Sequence, residues 1–189
     1  PAPVPAAPTR PASLGFTAVG KSVADTVTVP AGYTATPIYR LGDPIAAGVG
    51  AYRNDGTDAA ATFDRRAGDH HDGMHFFPLA ADGTRSTTAS DRGLLAINHE
   101  AITPMFLHPN GVTTTGSGAA QVRTVGEEVI REFYVHGVAI VEVRRGANGT
   151  WTPVQDSPFN RRVHTLTDVA LSGPAARNAA MATKYSPDG

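Results

Sequence analysis

The 189-residue chain is 41% hydrophobic and 17% charged, and 16 Lys and Arg against 17 Asp and Glu leave a formal charge of −1. So neutral a chain carries no electrostatic footprint for nucleic acid or an anionic membrane surface, and it has no run of about 18 apolar residues to span a bilayer. The absence of cysteine excludes a disulfide scaffold, a thiolate metal site and a cysteine nucleophile within these residues.

Gly 20 and Pro 15 make up nearly a fifth of the chain, against an average of about 12%, which favours a turn-rich, mainly β protein with one or two short helices. Five prolines fall in the first eleven residues, so 1–13 reads as an extended, flexible segment preceding one domain over 14–189. That opening is either an arbitrary chain boundary or a mature N-terminus left by signal-peptide removal. Thr26–Val29 alternates and reads as a strand. After the turn chemistry of Pro30-Ala31-Gly32, residues Tyr33 to Leu41 read as a second, edge-type strand containing Pro37. Residues 46–69, rich in Gly, Ala, Asp and Asn, read as a long surface loop.

Met74–Leu79 and Arg92–Ile97 are short apolar runs on either side of the turn Ala81-Asp82-Gly83-Thr84, and they predict a hairpin-like pair. Gly111–Ala120 is loop. Residues 121–135 predict a helix, with Val122, Val125, Val129, Ile130 and Phe133 on one face and a Glu128–Arg131 pair on the other. His136-Gly137 ends it. Val138–Arg144 then reads as a buried strand that returns, through Gly146–Gly149, at Thr150–Val154.

Four of the seven histidines lie in two groups. Asp69-His70-His71-Asp72-Gly73-Met74-His75 is dense in oxygen and nitrogen donors that suit a divalent or trivalent metal. In a regular strand His71 and His75 share a face, opposite His70 and Asp72, so two or three groups at most converge. Asn98-His99-Glu100 closes the apolar run at Ile97 and places a carboxylate on a rigid element. Weaker signals are the calcium-loop-like Asn54–Asp58, which lacks a closing Glu and favours a plain turn, and Arg161-Arg162 with His164, which favours solvated surface over a phosphate fork. Asn148-Gly149-Thr150 is a glycosylation sequon, meaningful only in a glycosylating host. Walker, GxSxG, HExxH and post-strand GxGxxG patterns are absent.

Several of these words stand in a recognisable order: Val29-Pro30-Ala31-Gly32-Tyr33, Arg40-Leu41-Gly42-Asp43-Pro44-Ile45, His71 to Leu79, Gly93 to Glu100, His136 to Val143, and Leu171-Ser172-Gly173-Pro174-Ala175. With Leu14–Thr17 and Ala24–Val27 they resemble the N-terminal part of the PhoX family of alkaline phosphatases, from about Leu14 to the end of the chain. The resemblance implies a β-propeller with irregular insertions and a secreted or periplasmic location reached by the twin-arginine (Tat) route. It also implies hydrolysis of small-molecule phosphomonoesters with calcium (Ca2+) and ferric iron (Fe3+). The family's iron-binding cysteine belongs to an Asn-Cys run beyond the words found here, so the chain is expected to be about the first third of a member. The remaining C-terminal part would be its structural partner, and Pro187-Asp188-Gly189 an exposed turn. By the same resemblance Glu100 is the leading metal ligand, with Asp72 and Asn98 beside it. His99, His71 and His136 are lesser candidates, and His71 departs from the family's Asn. The alternative reading is a non-catalytic secreted β domain that binds metal or another ligand.

Overall fold

The computed structural model describes residues 15–182 and 184. Leu14, the Pro-rich 1–13 segment and the Pro187–Gly189 turn lie outside them. By its internal contacts the chain divides at Pro37 into two units.

In the first unit the strand expected at Thr26–Val29 does not form, and neither does the part of the second that begins at Tyr33. Alternation specifies a strand when a partner supplies the other half of the ladder. Among the described residues none does, and Val27 is exposed. Pro30–Tyr33 is a turn closed by Tyr33 N–H to Pro30 O at 3.1 Å, and the Tyr33 ring meets Phe16 edge-on at 5.6 Å.

The second unit is built on an antiparallel sheet that is open, with a few short helices around it. Strand β1 (His71–Pro78) pairs with β2 (Arg92–His99). This is the hairpin-like pair expected from the two apolar runs. Helix α1 (Pro104–Leu107) and a two-residue ladder of β3 (Thr114–Thr115) and β4 (Val122–Arg123) follow. Helix α2 (Gly126–Val135) leads into β5 (Gly137–Arg145), which pairs with the whole of β2 from Gly137 to Arg144. The opposite edge of β5 is shared by β6 (Trp151–Pro153) and β7 (Arg161–Val163). Strand β5 is therefore central, and its Ala139, Val141 and Val143 are buried, as expected from its apolar run. Gly137, at φ +104°, turns the helix end into this strand; a Cβ there would press on Val163 O.

Further expectations need correction. Tyr33–Leu41 is irregular throughout, although Tyr39 packs on the Ile45, Ala139 and Val141 core. Residues 46–69 are a surface loop only in their first part: from Ala60 a 3-10 helix (Ala60–Arg65) buries Phe63 against Leu107 and Val135. Arg66, 2% exposed, holds this segment together by donating to Gly42 O, Gly50 O and the Asp58 carboxylate at 2.9–3.0 Å. A composition poor in large apolar groups still folds when one guanidinium satisfies several buried carbonyls.

The predicted helix starts at Gly126 rather than 121, and it faces the other way. Arg131 and Val135 are its buried residues, while Val122 and Val125 before it, and Ile130 and Phe133 on it, are 36–56% exposed. Glu128 pairs with Arg123 at 3.2 Å instead of with Arg131, whose guanidinium donates to Asp58 O and Leu107 O. Glu127 accepts from Ala60 N–H at 2.7 Å, so the charged face of α2 binds the 3-10 helix. Among the described residues, no helix is long and apolar enough to cross a membrane.

Candidate functional site

The two histidine groups meet because β1 and β2 are adjacent, with His71 directly opposite His99. One extra residue in β1 between His71 and Met74 forms a bulge, after which His75 lies opposite Ala96. Across a ladder, directly paired residues share a face. His99 and Ala96 are on opposite faces of β2, so His71 and His75 are too, contrary to the expectation for a regular strand. His71 turns in to His99, with ring centroids 5.0 Å apart, and its Nε2–H donates to Gly68 O at 3.1 Å. His75 packs on Phe77 instead, at 4.5 Å.

His99 is 1% exposed and both of its ring nitrogens are used. Nδ1 lies 3.0 Å from Asp69 O, a carbonyl that can only accept, so Nδ1 carries the proton. Nε2 then accepts from the Tyr39 hydroxyl at 3.2 Å. Burial, with Arg162 and His71 nearby adding positive charge, pushes the imidazole down to about 3. Burial likewise raises the Tyr39 phenol. Near neutrality His99 takes up no second proton and Tyr39 keeps its own, so this neutral pair braces the strand end. The packing is close enough to require Gly68, where a Cβ would lie 2.5 Å from His99 Cγ and nearer still to Val135 O.

The depressed imidazole sets a pH dependence. The unfolded His99 takes up a proton near 6.5 and the folded one resists it down to about 3. Stability is thus fully present above about pH 6.5 and falls as pH drops toward 3, by up to about 1.4 kcal/mol per unit. His99→Gln is expected to be less stable at pH 8 yet to lose less between pH 6.5 and 4. Denaturant midpoints at stepped pH for both proteins measure the difference; parallel pH profiles would contradict it.

The oxygen donors are elsewhere. Asn98 precedes His99 in β2 and so points to the opposite face, half-buried. Glu100 follows the strand, exposed, with its backbone N–H donating to His70 O at 3.1 Å. Asp72 is exposed within the bulged stretch of β1. The carboxylates of Glu100 and Asp72 have no hydrogen-bond or ion-pair partner among the described residues. His136 caps the end of α2, and its carbonyl accepts from Arg162 at 2.8 Å. Arg162 is correspondingly buried and donates also to Arg66 O and Tyr134 O; it is neither solvated nor aimed at a phosphate. Asn54–Asp58 is a turn in which the Asp55 carboxylate accepts from Thr57 N–H and Oγ1.

Asp69 and His70 belong to the donor-dense group, but as braces of the backbone, and their partner Thr103 carried no signal in the sequence. Asp69 accepts from His70 N–H at 2.8 Å and from Thr103 N–H at 2.6 Å, tying the start of β1 to the segment after Glu100. His70 adopts φ +40°, uncommon for a residue with a side chain, and its Nε2 lies 2.8 Å from Thr103 Oγ1. Together with Leu41, His71 and Phe106 these residues line an open hollow of about 510 Å³.

As ligands, Asp72, Asn98 and Glu100 are hard oxygen donors of the kind calcium takes. Among the described residues, however, no three His, Asp or Glu side chains converge as a metal set. A calcium shell needs about 6–8 oxygens, so a site here would be completed by donors from outside these residues. A thiolate for iron is not present in this chain.

An open antiparallel sheet whose strand end carries unpaired carboxylates defines the architecture, and similarity supplies the family. Residues 14–189 match the family described as alkaline phosphatase PhoX, and the chain belongs to that family. A solved structure, Pseudomonas fluorescens PhoX in complex with the transition-state analogue vanadate, superposes with a TM-score of 0.76 at 30% identity. That match covers 92% of this chain and 27% of the Pseudomonas protein, so the chain spans about a quarter of the length of the structure it resembles. No curated protein is significantly similar to the chain.

Proposed function

We propose that the full-length protein is a secreted or periplasmic, metal-dependent phosphomonoesterase, and that this chain forms the N-terminal part of its β-propeller. The observation that carries the reading is the match over residues 14–189, joined to 30% identity with a PhoX that holds a phosphoryl-transfer analogue. The exposed apolar side chains of Val122, Val125, Ile130 and Phe133, on and just before α2, support it. A face of this kind on a soluble protein is normally covered, and here the remaining part of the fold would cover it.

In that reading Glu100 holds calcium, with Asp72 and Asn98 as further oxygen ligands. Ca2+ and Fe3+, when bound, draw charge from the phosphate oxygens and favour in-line attack. This chain's contribution is to hold the Glu100 carboxylate at a fixed strand end.

The test is hydrolysis of a model phosphomonoester by full-length protein at alkaline pH, with calcium added or chelated, and iron measured in the sample. Calcium-dependent release of phosphate by an iron-containing protein is expected. Calcium binding without hydrolysis would replace the proposal with a non-catalytic ligand-binding member of the family.

A further inference from the structure

Glu100 combines a side chain with no partner among the described residues and a tightly fixed backbone. Its N–H is held by His70 O. On one side, His99 is locked between Asp69 O and the Tyr39 hydroxyl. On the other, Thr103 N–H is held by the Asp69 carboxylate at 2.6 Å. The Tyr39 ring stacks on His99 at 5.9 Å with an interplanar angle of 24°, and also touches His71 at 4.8 Å.

The Tyr39 hydroxyl has a specific task in this arrangement. Asp69 O, which can only accept, fixes the proton on Nδ1, and the Tyr39 hydroxyl is the donor that satisfies the remaining acceptor, Nε2. Without it Nε2 is left a buried acceptor with no donor, a cost the ring relieves by shifting from its place against Asp69 O. The main chain at residues 99 and 100 then gains freedom that a bound cation must remove again.

We propose that Tyr39 is a positioning residue for Glu100, acting through His99 to hold the carboxylate in place for a cation. This rests on the reading of Glu100 as a calcium ligand. Tyr39 touches neither cation nor substrate in this scheme.

The experiment is calcium titration by calorimetry on the full-length protein, as wild type, Tyr39→Phe, Glu100→Gln and the double variant, with melting temperatures alongside. Phe keeps the ring and its stacking, so the fold is retained. Tyr39→Phe is expected to weaken calcium binding about three- to ten-fold, the scale of one lost buried hydrogen bond. In the Glu100→Gln background the same change is expected to have no further effect, because the ligand it positions is gone. If Glu100→Gln weakens binding but Tyr39→Phe does not, positioning is overturned and the ligand assignment stands. If the two effects add, Tyr39 acts on the fold generally and the proposal fails. If Glu100→Gln leaves calcium binding unchanged, the ligand assignment falls and positioning falls with it.

Discussion

Glu100→Gln in the full-length protein is expected to abolish calcium retention at ordinary calcium concentrations, and phosphomonoester hydrolysis with it. The substitution keeps the side chain's volume and removes its full charge. Because the carboxylate is exposed and has no partner among the described residues, no structural ion pair is broken and the fold is expected to remain intact. Removing even a hydrogen-bond partner of a metal ligand commonly costs about 10–100-fold in affinity, so loss of a ligating charge is expected to cost at least as much. Metal analysis of the purified variant, with kcat and KM at raised calcium, reads both consequences. A variant with the wild-type metal content and turnover would remove Glu100 from the site.

The largest effect on stability is expected at Glu142. This carboxylate sits in the central strand β5 with its side chain 1% exposed. It accepts from Arg92 Nε and Arg144 Nε, each at 2.8 Å, and from Ser157 Oγ at 2.6 Å. Burial pushes the carboxyl up, but the three donors outweigh it and hold it at about 2. Breaking a buried pair by removing one partner costs about 3–5 kcal/mol. Arg144, 54% exposed, turns to solvent when Glu142 is lost, and Arg92 keeps the carbonyls of Ala80 and Ala81. The loss for Glu142→Ala is therefore expected near the lower end, about 3 kcal/mol. The sign with pH follows from the lowered value: the contribution is present above about 4.5 and is lost as pH falls toward 2. Urea unfolding of the full-length protein at pH 7 and pH 3 measures it. A loss below about 1 kcal/mol at pH 7 would show that the three donors find other partners.

Wherever a residue's environment was carried by its own segment, the sequence was readable. Val138–Val143 is an apolar run broken only at Glu142 that forms the central strand, and Gly146–Gly149 turns it into β6. The β1 and β2 runs were legible for the same reason, and His136-Gly137 marked the end of α2. The sequence words from Val29 to Ala175 also pointed to the family to which residues 14–189 belong.

Where the outcome depended on what lay opposite, the sequence was silent or misleading. The amphipathic pattern of α2 was visible, but not which face the neighbouring segments would cover. Buried Arg131 and Arg162 read as surface charge because a guanidinium's buried carbonyl partners are remote in sequence: Asp58, Leu107, Arg66, Tyr134 and His136. The bulge after His71 separated it from His75, an event set by strand register and invisible to residue spacing. Residue order thus determined the runs of β1, β2, β5 and β6, the turn between β5 and β6, and the kinship. Tertiary structure decided that His99 is a neutral brace between Tyr39 and Asp69 and that Glu100 beside it stands open. Hydrogen bonds across 60 residues of chain are made by folding, and no local pattern encodes them.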